Sequence, residues 1–134
     1  MVDAQFVPRP DAVPEPRTYR PSSGTAWVVR EPSPEPGAVV VLSATGEFDV
    51  ETAGCLHDAF ADARLAEPRL VVLDVSQVGC GDSSFLHELV AAHFADHRLV
   101  PAGPFPRRLR RLFALTGTLR LFTIVKDRAD LCFA

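Results

Sequence analysis

Asp82, Ser83 and Ser84 stand in a row directly ahead of an apolar helical stripe. A carboxylate and two hydroxyls at such a place have one immediate chemistry, hydrogen bonding to the free amides of a helix's first turn. On the bare residues Ser83 and Ser84 therefore read as capping groups. Asp49 ends a strand-like segment and is either a turn acceptor or a carboxylate offered to a partner. His93 and His97 are spaced i, i+4, but no cysteine or further histidine nearby completes a tetrahedral set, so no metal is expected. His93 reads instead as a satisfied, semi-buried side chain. Arg107, Arg108, Arg110 and Arg111 lie opposite Leu109, Leu112 and Phe113 and read as a solvated helix face rather than a nucleic-acid contact. No phosphate loop of the Walker type and no nucleophile elbow occurs, and Ser83 with a distant histidine makes no triad. Nothing in the chain calls for an enzyme or a cofactor.

The elements that must hold these groups alternate. Val39-Val40-Val41-Leu42 and Leu70-Val71-Val72-Leu73-Asp74-Val75 are nearly continuous apolar runs, as expected of strands buried on both faces. Between them Thr52 is a candidate N-cap for a helix with Leu56, Phe60 and Ala63 at helical spacing, ending before Pro68. Gly79-Cys80-Gly81 reads as a loop leading to a second helix, with Leu86, Leu89, Val90, His93 and Phe94 on one face. Arg98 to Val100, cut by Pro101, suits an edge strand or a strand end. Pro106 opens a third helix. Leu119 to Val125 reads as a strand, and Asp127 to Phe133 as a terminal helix or turn. Thr25 to Arg30 is a short strand ahead of a turn-rich loop. This alternation predicts an α/β domain with right-handed crossovers and a largely parallel sheet covered by helices.

Eight of the twelve prolines precede Gly37, and a run of residues without amide donors opposes both helices and ladders. Residues 1–24 are accordingly expected to be a disordered or extended leader, and 25–134 the domain. The remaining composition, 47% hydrophobic and 23% charged, can supply one core. Net charge is −3, split as −6 over residues 1–67 and +3 over 68–134, which suits a polar protein partner better than nucleic acid. No apolar stretch is long enough to cross a bilayer, and the N-terminus lacks the basic patch and apolar run of a secretory signal. Cys55, Cys80 and Cys132 are scattered and odd in number, as expected of reduced thiols in a cytoplasm.

Three segments, in order and on the expected elements, resemble one family. Gly46-Glu47-Phe48-Asp49 with Thr52-Ala53 resembles "GELD…TA" at a strand end; Asp82-Ser83-Ser84 with Leu86 resembles "DSSGL" at a helix start; Leu109 with Leu112-Phe113 and Leu115-Thr116-Gly117 resembles "VxRLLELTGL". These are motifs of the STAS family, named for sulphate transporters and anti-sigma-factor antagonists, and the resemblance covers about residues 25–134. It implies a STAS fold with a mixed, mostly parallel sheet of four to five strands and helices packed on it. It also implies a bacterial partner switch in the cytoplasm. A stand-alone member binds an anti-sigma factor that is a serine kinase, is phosphorylated on the serine after the motif's aspartate, and is restored by a phosphatase. Carried over, the phosphoacceptor is Ser83, and Asp49, Asp82, Ser84 and Phe85 are expected at the partner surface. Two other readings stand beside it: an unphosphorylated STAS scaffold or accessory subunit of a signalling or lipid-transport complex, and a small ligand-binding α/β domain.

The chain departs from the family pattern at three places. Phe85 stands where the family has glycine, about 100° off the Leu86–Val90 stripe, and is expected to be exposed, as a partner anchor or as an obstacle to a kinase. Gly79-Cys80-Gly81 replaces a stretch that usually carries an aromatic residue. The span from the second helix to the arginine run is about four residues short, roughly one helical turn.

Overall fold

The computed structural model describes residues 17–22, 24–32, 39–96 and 98–130. Five strands, β1 (Arg17–Tyr19), β2 (Trp27–Glu31), β3 (Val39–Phe48), β4 (Leu70–Gly81) and β5 (Leu99–Ala102), form one sheet in that order. β1–β2 and β2–β3 are antiparallel, while β3–β4 and β4–β5 are parallel. Helices α1 (Gly54–Leu65) and α2 (Ser83–Asp96) make the two parallel crossovers, and α3 (Arg107–Thr116) follows β5. The sheet is mixed, as expected, with its pairings divided evenly between the two senses.

Strand alternation builds the core. Val28, Val40, Leu42, Ala44, Val71, Leu73 and Val75 present one face to Leu56 and Phe60 of α1, Phe85 and Leu89 of α2, and Leu109 and Phe113 of α3. On the opposite face Val39, Val72 and Ala102 form a smaller cluster with Val41, Leu70 and Val125. Val71, Val72 and Leu73 are thus buried on both sides, which is why this stretch reads as an unbroken apolar run.

Four expectations about elements are corrected. β1 lies inside the stretch expected to be leader, so the sheet begins at Arg17 rather than near residue 25. Arg17 and the Tyr19 hydroxyl both donate to the Asp62 carboxylate on α1, which anchors this three-residue strand. Residues 1–16 and 23 of the expected leader lie outside the described residues. Gly79-Cys80-Gly81 is strand rather than loop: Cys80 pairs with Glu47 and Gly81 with Phe48. Two one-residue bulges in β4, where the register shifts between Ser43 and Thr45 and again between Gly46 and Glu47, break the period of two that would have announced this extension. Leu119 to Val125 is not a strand. Gly117 ends α3 in the left-handed region at φ 73°, and a 3-10 turn at Thr118–Arg120 follows. Phe122 then turns inward to Phe113 and His93, and only Val125 pairs, bridging to Ala102. Finally, Thr52 does not cap α1, whose N-cap is Ala53 without a side-chain bond.

β5 is an edge strand, as expected, but it runs through Pro101 to Ala102 instead of being cut there. The C-terminal segment reads as a turn at Arg128–Asp130, and residues 131–134 lie outside the described ones. Arg128 fastens this turn to three strands, donating to the Glu31 carboxylate of β2, to Ser43 Oγ of β3 at 3.3 Å and to Asp74 Oδ2 of β4 at 3.2 Å. The Arg128 guanidinium holds the Glu31 carboxyl below its usual range, against a smaller opposing effect of burial. A depressed carboxyl stabilises the fold above its unfolded value and loses that contribution as pH falls through the folded one. Glu31→Gln should therefore lower stability at neutral pH, and the gap to the parent should close below about pH 4.3, the ordinary glutamate value. Urea midpoints of both proteins at pH 7 and in acid check this; a gap that stays constant with pH contradicts the ion-pair account.

Candidate functional site

β3 and β4 end side by side, with Phe48 paired to Gly81, and the Asp82 amide donates to the Phe48 carbonyl at 3.2 Å. Asp49 and Asp82 are therefore the first residues beyond two neighbouring strand ends. Parallel strands deliver their following loops to one edge of a sheet, and this edge is where the motif residues gather.

Asp82, not a serine, caps α2. Its Oδ1 accepts from the amides of Ser84 at 2.8 Å and Phe85 at 3.3 Å. Ser83 is the first helical residue and is exposed; Ser84 behind it is half-buried. With the carboxylate doing the capping, the Ser83 hydroxyl is left as a surface group.

The loop after β3 is held by its own side chains. Asp49 Oδ1 accepts from the amides of Glu51 at 2.9 Å and Thr52 at 3.1 Å, so Asp49 is a turn acceptor while remaining exposed. The buried Thr52 Oγ1 accepts from the Asp49 amide at 2.9 Å and lies 3.2 Å from the Glu47 carbonyl, to which it donates. Thr52 thus faces back into the loop, which explains its failure to cap α1. Val50 at the loop's tip is 78% exposed. An open groove of about 530 Å³ joins this loop to α2, lined by Val50, Ala53, Gly54, Ser83, Ser84, His87 and Glu88. His57 of α1 meets Glu88 of α2 at 3.3 Å beside it.

Phe85 contradicts its expected role. The side chain is 0% exposed, its ring centroid 5.4 Å from that of Phe48. A β-carbon on Gly81 would sit 2.9 Å from the Phe85 ring, so the absent side chain at Gly81 makes the room that the ring fills. The buried stripe of α2 is Phe85, Leu86, Leu89 and Ala92, and Phe94 faces out. The helix is rotated about its axis relative to the stripe read from the sequence, and Phe85 belongs to the core instead of the partner surface. Val50, His87 and Glu88 were not singled out by their residue types; only the position of Val50 in a loop beside Asp49 could have pointed to it.

Among the described residues no group of three or more His, Cys, Asp or Glu could hold a metal ion, and no helix is long and apolar enough to cross a membrane. Cys55 is buried, which pushes its thiol up. His97 lies outside the described residues, and the His93 ring packs 5.3 Å from those of Phe94 and Phe122.

Comparison with known proteins agrees with this geometry. The family model described as "Mlab, STAS domain" matches residues 33–124, and the chain belongs to the STAS domain family. An anti-sigma factor antagonist from Mycobacterium paratuberculosis superimposes with a TM-score of 0.68 at 25% identity, over 79% of this chain and 90% of that one. The anti-sigma factor antagonist SpoIIAA in its unphosphorylated form superimposes with a TM-score of 0.54 at 14% identity, over 69% of this chain and 84% of that one, and shares the fold. No curated protein matches the sequence.

Proposed function

We propose that this STAS domain is an anti-sigma-factor antagonist, a binding module and not an enzyme, that docks an anti-sigma factor of the serine-kinase type through the groove between the Asp49 loop and α2. Ser83 is its phosphoacceptor. The observation that carries the reading is the exposed Ser83 hydroxyl at the first position of α2, beside a capping aspartate and on a groove shared with the neighbouring loop. The likeness to antagonists over most of the chain supports the same role. A phosphate adds about −1.5 to −2 charges at neutral pH. In this groove it meets Glu88 and the carboxylate of Asp82, whose cap already occupies two of the free amides. The added charge repels an apposed surface without refolding the domain. Asp49, Asp82 and Ser84 contribute to the contact through this loop and helix start, and Val50 supplies its apolar centre.

Incubation with the cognate anti-sigma kinase and ATP should place phosphate on Ser83, read by mass spectrometry. Ser83→Ala should keep binding and lose the phosphate. Ser83→Asp should weaken binding by about tenfold, equivalent to some 1.4 kcal/mol, since one charge is less than a phosphate carries. Phosphate on Ser84, or an aspartate variant that binds as tightly as the parent, contradicts the switch. Tight binding with no phosphate would instead favour an unphosphorylated scaffold.

A further inference from the structure

The basic residues of this chain are segregated. From Arg98 to Lys126 there are seven bases and no Asp or Glu, while the remaining residues carry seven bases and all 17 acids. Four of the seven, Arg107, Arg108, Arg110 and Arg111, occupy the first half of α3 and are exposed. None of the four makes an ion pair with a described residue. Their position also works against the helix itself: the N-terminal turn favours carboxylates, and α3 has no acid there. Cations placed against a helix dipole, with no ion-pair partner among the described residues, are poorly explained by the stability of this fold.

We infer that the arginine face of α3 is a second docking surface, for an acidic segment of a protein partner whose carboxylates end in an apolar anchor. The guanidinium fork matches a carboxylate in two-pronged fashion, and arginine is less strongly hydrated than lysine, so it suits a contact from which water is expelled. Leu115, four residues beyond Arg111, is 77% exposed, and Leu119 after the helix is 44% exposed. These two make the apolar end of the surface. The surface shares no residue with the Ser83 groove.

Other polyanions fit less well. An amphipathic helix that lies in a membrane turns its apolar stripe to the lipid, but Leu109 and Phe113 of α3 are buried against the domain's own core. Nucleic acid and anionic bilayers are extended and meet the whole molecule, whose charge outside residues 98–126 is −10. A short acidic segment feels chiefly the charges within about one Debye length, roughly 8 Å at physiological salt, so the arginines it touches outweigh the net charge of the whole molecule. A second copy of this chain would have to meet α3 with a different, acidic face, since two arginine faces repel each other.

A synthetic helical peptide with glutamates along one face followed by two leucines, and its glutamine-for-glutamate counterpart, test the inference on the full chain. The glutamate peptide should bind about tenfold or more tightly than the glutamine one at physiological salt, and the difference should shrink as salt rises. It should shift the amide NMR signals of residues 107–119 and leave those of 50–54 and 83–88 in place. The variant carrying Arg107→Gln, Arg108→Gln, Arg110→Gln and Arg111→Gln should lose the preference with a thermal midpoint no lower than the parent's, since cations are removed from the wrong end of the helix dipole. Arg110→Gln alone, a smaller change, should lose part of it. Equal binding of the two peptides overturns the inference, as do signal shifts centred on the Ser83 groove. So does tighter binding of phosphatidylserine vesicles or an oligothymidine than of the glutamate peptide, or concentration-dependent self-association that the quadruple variant abolishes. None of these outcomes depends on whether Ser83 is phosphorylated.

Discussion

Phe85→Ala is expected to destabilise the domain by about 3–5 kcal/mol, the usual cost of emptying a buried aromatic site. The ring is wholly enclosed, and it lies between the Phe48 ring and the bare backbone of Gly81. Because Gly81 has no side chain to lean into the space, the cavity should collapse poorly and the cost should fall in the upper part of that range. The residue sits two positions from Ser83, so a loss of partner binding by this variant would report unfolding and not a missing contact. Urea denaturation monitored by circular dichroism distinguishes the two. A shift under about half a kcal/mol, typical of surface positions, would mean that the ring is not core.

Gly46→Ala should be comparably damaging for a different reason. Gly46 has φ 105°, in the region that side chains rarely enter, and it lies beside the second bulge of the β3–β4 pair. A β-carbon there would come within 2.2 Å of the Thr25 carbonyl oxygen and 2.8 Å of the Ala26 Cα. Both obstacles are backbone, at the entry to β2, and cannot swing aside as a side-chain tip would. Backbone strain of about 1–3 kcal/mol and overpacking of similar size add, giving roughly 2–6 kcal/mol. The β2 and β3 strands would have to part for the change to be absorbed, so hydrogen exchange at Trp27 to Glu31 should accelerate well beyond that elsewhere in the sheet. A thermal midpoint within a few degrees of the parent would show that β2 yields easily.

What the sequence made legible follows from which elements obey a simple period. Val39–Leu42, Leu70–Val75, the α1 spacing and the α3 stripe each satisfy one rule without help from elsewhere, and all are where they were expected. The second half of β4 does not, because the first of its two extra residues moves Val78 to the buried side out of step with Val75. α2 satisfied its rule twice over: Phe85 and Phe94 were both apolar candidates at the margins of a stripe, and only the empty space above Gly81 decides between them. β1 has no apolar period at all, and its pairing with β2 is reinforced by one tyrosine hydroxyl and one arginine on Asp62. At the site, the helix start at Asp82–Ser83 could be read directly, since capping chemistry is local. The groove could not, because it joins the loop after β3 to the first turns of α2, which a strand pairing brings together.

The order of the strands across the sheet has a consequence for how the domain is made. Each strand lies beside its predecessor in the chain, from β1 through to β5. No strand has to be threaded between two that are already joined, and every new pairing is with the most recently completed edge. Loop closure is then always over the shortest stretch the chain offers. A ribosome releasing this polypeptide N-terminus first presents the strands in the order in which the sheet can accept them, so the template for each addition is in place before the strand that needs it has emerged.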